Sequence, residues 1–186
     1  RGLLQQLCYG TLRHCPRLQA ILALLLEKPL RDKDRDLQGL LLCGLYQLDS
    51  TRVPDHAAVA ATVSATRVLK KHWAKSVVNA VLRRYQRERE QLLRQLDEPA
   101  AASHPAWLFH KIAQQWPAAS NTIIEANNQQ PPMTLRVNDR QIARSDYLAA
   151  LLDHAIAASA GSPSPYAIRL AQATAVWDPP CFAAAT

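Results

Sequence analysis

The chain reads as mainly α: a helical bundle followed by a small α+β unit. Three observations predict this. Five helix-periodic segments with short connections fill the first half. A proline- and alanine-rich break, DEPAAASHPA, spans 97–106. Beyond it, short helical patterns are interleaved with period-2 alternation. The expected domains are therefore residues 1–98 and 104–186, within the range that 186 residues can fold.

The elements follow in order. Leu3, Leu4, Leu7, Cys8 and Leu12 have helical spacing until Pro16 interrupts it, and RLQAILALLLEK (17–28) resumes until Pro29. The charged turn RDKDRD leads into LQGLLLCGLYQL (37–48), apolar nearly all round and so expected to be the central buried helix. Pro54 opens the next helix, DHAAVAATVSATRVLKK, where proline is tolerated. AKSVVNAVLRRYQREREQLLRQL (74–96) closes the bundle, apolar at first and strongly charged after Arg83.

In the second half, AWLFHKIAQQW (106–116) and SNTIIEANN (120–128) read as short helices. Pro131 and Pro132 then bar a ladder, so a strand begins after them. Thr134, Arg136 and Asn138 alternate with Leu135 and Val137. SDYLAALLDHAIAA (145–158) is a further helix, AGSPSP a turn, and YAIRLAQ (166–172) a second strand. The last residues, FAAAT, close no element, and the first already read as the inside of a helix, so the chain is expected to be part of a longer one.

Twenty-two Lys and Arg against 15 Asp and Glu give +7, which suits a polyanionic partner, nucleic acid first. The charge is concentrated: Arg67 to Arg94 holds nine Lys and Arg against Glu88 and Glu90, a surplus equal to that of the whole chain. Lys70, Lys71, Lys75, Arg83, Arg84 and Arg87 are the candidate RNA-phosphate contacts, with Trp73 and Tyr85 as stacking partners. The plain alternative is a solvated helix pairing Arg84 with Glu88 and Glu90 with Arg94. Arg136 and Asn138 form a second candidate set on the polar face of the first strand.

No catalytic constellation is visible. The four cysteines form no CxxC, and Cys8 and Cys15, seven apart, are expected to share a helix face as small apolar residues. That usage fits a reducing, cytoplasmic setting. No apolar run is long enough to span a membrane, and the six histidines lack metal-ligand spacing. Cys181 in WDPPCF has the Asp-x-Pro-Cys form of enzymes that attack cytosine with a thiolate. With five glycines and no glycine-rich βα turn, the chain has no cofactor domain to serve it, and Cys181 reads as a loop residue.

HAAVAATVSATRVLKKHWAKSVVNAVLRR (56–84) resembles the closing helices of the NusB fold, and LLQQLCYGTLR and LLLCGLYQLDSTRVPDHAA match that fold in order. SHPAWL and EANNQQPPMTLRVN resemble the segment that joins a NusB-like domain to the catalytic domain in bacterial ribosomal RNA cytosine-C5 methyltransferases of the RsmB (Fmu/Sun) type. Ala61 departs from the NusB pattern, which commonly has Glu there. The resemblance implies a cytoplasmic protein that binds small-subunit ribosomal RNA through the cations named above. Its parent would transfer methyl from S-adenosylmethionine, with the cofactor loop and both catalytic cysteines beyond Thr186. A non-enzymatic NusB-like antitermination module, and a protein-interaction scaffold with an incidental basic face, are the rival readings.

Overall fold

The computed structural model describes residues 2–175 and Pro180, and its contacts divide the chain into two compact units, 1–128 and 129–186. Cys181 lies outside the described residues.

The first unit is helical. α1 (Gly2–Arg13) and α2 (Cys15–Leu25) are separated by His14 alone, and Pro16 occupies the first turn of α2, where its missing N–H is no loss. α3 (Arg35–Ser50) is the hub that the sequence predicts, packed on α1 and α2 and on α4 (Asp55–Ala65) and α5 (Lys75–Arg94). Leu37, Leu41 and Leu45, two helical turns of one face, are fully buried against Leu18, Ile21, Val78 and Leu82. Close approach is built in at two glycines. A Cβ on Gly10 would run into the Tyr46 ring, and one on Gly44 would lie 2.9 Å from Thr62 Cγ2.

α1 departs from expectation. Leu3, Leu4 and Leu12 are exposed, and the helix buries Gly10 and Thr11 instead. Cys8 and Cys15 share no face, because Pro16 starts a new helix: Cys8 is exposed on α1 and Cys15 half-buried on α2, where burial raises its thiol pKa.

The expected break at 97–106 contains a helical turn, α6 (Glu98–Ala101), N-capped by Asp97, whose Oδ1 accepts from the Ala100 N–H at 2.9 Å. Arg17 donates to the Ala101 carbonyl, and the His14 ring, stacked on Tyr46, meets Ser103 Oγ at 3.1 Å. α7 (Ala106–Gln115) and α8 (Ser120–Asn128) continue from there around Phe109, Ile112 and Ile124. His104 bonds the Ala102 carbonyl and Asn127, and Asn128 donates to that same carbonyl. These ties join α6, α7 and α8, so the contact boundary falls at 128, later than composition places it.

The second unit holds β1 (Thr134–Arg136), α9 (Arg144–Asp153), β2 (Ala158–Ala160) and β3 (Ala167–Leu170). The strands form an antiparallel sheet in the order β1-β3-β2. Val137, Ile168 and Leu170 pack with Tyr147 and Leu151 of α9 on one face. Residues 154–158, expected to prolong the helix, instead lead into β2: Ala155 takes φ 57°, and the helix has already ended.

Candidate nucleic-acid interface

The basic segment begins where α4 ends. Lys70 adopts φ 57°, which turns the chain sharply, and the Lys71 N–H bonds the Thr66 carbonyl at 2.9 Å. Lys71 then points inward. Its Nζ lies 2.6 Å from Asp34 Oδ1, 2.6 Å from Asp36 Oδ1 and 3.2 Å from the Lys33 carbonyl, so all three ammonium protons are used. Hydrogen bonds to Asp34 and Asp36 raise the Lys71 pKa, and the bond from Lys71 lowers that of Asp36. The lysine is a tether. It brings the loop before α3 beside the turn His72–Ala74 that opens α5, at a concavity of about 450 Å³ lined by Pro29, Leu30, Arg31, Lys33, Asp34 and Trp73. Trp73 is 58% exposed there.

Along α5, Lys75, Asn79, Arg83 and Arg87 recur every fourth residue and are all exposed, forming one stripe. Lys75 stands in the first helical turn, at the positive end of the helix dipole, an arrangement that favours an anionic ligand over the free state. Arg83 bonds Gln86 at its own surface. Arg84 is half-buried, paired with Glu88 at 2.9 Å, and donates to the Leu25 carbonyl at the end of α2. Its work is to close the bundle. Arg94 pairs with Glu90, as the spacing predicts.

Tyr85 is fully buried, so it cannot stack on a base. Its Oη donates to Asp49 Oδ1 at 2.6 Å, while Arg17 and Arg89 also approach that carboxylate. Burial pushes the Asp49 pKa up, but bonds from Tyr85 and Arg17 and the charge of Arg17 prevail and hold it below the usual carboxylate value. Burial and then the Asp49 bond raise Tyr85. Side chains of three helices, α2, α3 and α5, thus meet at one buried carboxylate, and Arg89 belongs to that knot.

The cations left facing solvent are Arg67, Lys70, Lys75, Arg83 and Arg87, with Arg31 and Lys33 added from the loop. Those last two sit in the turn RDKDRD, whose balanced charge hid them. Only the tether to Lys71, 37 residues away from Asp34, shows where they go.

In the second unit, Arg136 is exposed on β1 opposite Ala167, and Asn138 is exposed just beyond the strand. Asn138 Oδ1 accepts from the Arg140 N–H at 3.3 Å, so its side chain shapes the turn into α9. Ala61 is exposed on α4. Among the described residues no group of His, Cys, Asp and Glu is placed to hold a metal, and no helix is long and apolar enough to cross a membrane.

Residues 1–87 match the NusB family, and residues 104–177 match the ferredoxin-like domain described as methyltransferase RsmF/B-like. The chain is 49% identical over 98% of its length to the ribosomal RNA small subunit methyltransferase B of Pseudomonas putida. It is 45% identical over 98% to that of Serratia proteamaculans, and 40% identical over 97% to that of Erwinia tasmaniensis. The chain matches RsmB proteins in both of its parts. It corresponds to the N-terminal part of RsmB and spans 42%, 43% and 42% of the length of those three relatives. The helical bundle is its NusB domain, and α7 to β3 lie within its ferredoxin-like match.

Proposed function

We propose that the chain is the RNA-binding part of an S-adenosylmethionine-dependent methyltransferase that modifies cytosine C5 in small-subunit ribosomal RNA, in the cytoplasm. The observation that carries the reading is the solvent-facing cationic stripe Lys75, Arg83 and Arg87 beside Trp73, on a NusB-family domain whose relatives are named as ribosomal RNA methyltransferases. Lys70 extends the stripe at the start of α5, and Arg136 offers a further phosphate contact in the second unit. Such contacts position RNA without reading its sequence. Lys71 and Arg84 support this face from behind.

The described residues do not fit S-adenosylmethionine. Their sheet is antiparallel and three-stranded, with none of the glycine-rich strand-to-helix turns that cradle such a cofactor. Cofactor binding and the thiolate attack on cytosine therefore belong to the parent protein, and this chain by itself binds without catalysing. A free-standing antitermination module is the weaker reading, because residues 104–177 match a methyltransferase-type domain.

The test is titration of a small-subunit ribosomal RNA transcript at several salt concentrations. Affinity should fall steeply with salt, and Arg83→Glu with Arg87→Glu should weaken it at least about tenfold while leaving the unfolding midpoint in place. Unchanged RNA affinity in that double variant would overturn the interface. Transfer of labelled methyl to cytosine C5 by the full-length parent tests the activity.

A further inference from the structure

The sheet of the second unit has one face on α9 and one in solvent. The register puts Thr134 opposite Arg169 and Arg136 opposite Ala167, while Ser159 of β2 meets Arg169 from the other side. These five residues share the outer face, and none is acidic. Arg169 stands on the middle strand, exposed, with a hydroxyl residue on each side. Arg136 is its diagonal neighbour, about 7–8 Å away by sheet geometry. Two like charges so placed repel in the free protein, and an anion between them removes that cost.

At the end of the sheet where β1 and β2 begin and β3 stops, a concavity of about 610 Å³ opens. Arg169 and Ser159 reach it from the strands, Pro131 and Pro132 from the lead-in to β1, and Gln130 and Gln172 from the flanking segments. The volume is in the range of small-ligand sites. The chemistry is specific in kind. A guanidinium grips a phosphate through two parallel N–H bonds. A glutamine amide both donates and accepts, as a base edge requires. Proline rings offer flat apolar surface that an unstacked base can cover.

We propose that this concavity is a subsite for one unpaired nucleotide of an RNA strand. Arg169 holds its phosphate, Gln130 and Gln172 meet its base edge, and Arg136 takes the neighbouring phosphate. The inference rests on the RNA-binding reading above but concerns a different surface. Duplex RNA is excluded by the chemistry, because paired bases do not present their edges to a pocket of this kind.

The test is amide NMR of the 186-residue chain titrated with a short single-stranded oligoribonucleotide, the same sequence as a duplex, and cytidine monophosphate. The single strand should shift the resonances of Ser159, Arg169 and Gln172 and the side-chain amide of Gln130, and the duplex should not. Arg169→Gln should abolish those shifts, lower the salt slope of binding by about one, and leave the spectrum otherwise folded; Arg169→Lys should keep part of the effect. Shifts confined to α5 would overturn the subsite while leaving the RNA-binding reading in place. No shifts anywhere would overturn both. Cytidine monophosphate binding as tightly as the strand would make this a free-nucleotide site and overturn the RNA assignment.

Discussion

Lys71 Nζ lies 2.6 Å from Asp34 Oδ1, a contact across 37 residues that fixes the loop before α3 against the start of α5. A lysine in the densest basic run of the chain is thereby a structural tie. Lys71→Met should lower the urea unfolding midpoint, because nearly buried Asp34 loses its cation. It should leave the salt slope of RNA binding unchanged. Arg87→Ala should do the reverse, reducing the slope by about one with no change in stability. Denaturation and salt-dependent binding on the two variants give the comparison.

The carboxylate of Asp49 is the knot of the bundle. Tyr85→Phe removes the 2.6 Å donor and should cost about 1–3 kcal/mol, because a buried acceptor loses a partner that water cannot replace. Asp49→Ala should cost more, about 3–5 kcal/mol, since Arg17 loses its counter-charge and Tyr85 its acceptor together. Urea midpoints on both variants measure the difference.

Acid should loosen the helical unit in two steps. Burial lowers the His14 pKa below its ordinary 6.5; Arg13 and Arg17 add to this, and Asp49 opposes it. The unfolded chain therefore takes up this proton first, and stability falls as pH drops through 6.5. Asp36 and Asp49 lie below their ordinary 3.8, so their contributions are full above that value and are lost as pH falls below it. Midpoints measured from pH 8 to 3 should show both steps, and His14→Gln should remove the upper one alone.

Gly10 faces the buried Tyr46 ring with no room for a methyl group. Gly10→Ala should destabilise by about 1–3 kcal/mol despite the better helix propensity of alanine. The exposed Gly39, where a Cβ meets nothing within 4 Å, is the control, and Gly39→Ala should stabilise slightly. Thermal unfolding of the two variants decides it.

The helices of the bundle were legible because burial of one face leaves a 3.6-residue period: Leu37, Leu41 and Leu45 mark α3 unaided. β2 was not, because Ala-Ser-Ala has no alternation to detect and exists through its pairing with β3. α6 carried a readable signal, Asp97 before a helix-starting proline, that its alanine-rich composition masked. The site shows the same divide. Lys75, Arg83 and Arg87 follow from helical spacing, but the inward turn of Lys71 depends on Asp34 and Asp36, far upstream. Tyr85 reads as a surface aromatic because Arg83, Arg84 and Arg87 surround it in sequence. By sequence Arg169 is one cation in an alternating strand; pairing gives it Thr134, Ser159 and the diagonal Arg136.

Pro131 and Pro132 have a consequence for how the second unit behaves among its own kind. β1 lies at a sheet edge, a position where an unpaired backbone can recruit a strand from another molecule. Three residues are a short template, and Pro131 and Pro132, separated from it by Met133 alone, have no N–H to offer. A foreign strand that began to pair along β1 would run out of donors within one step. The rigid lead-in thus guards the β1 edge of the sheet against pairing with another molecule, and it does so with no charge spent on the task.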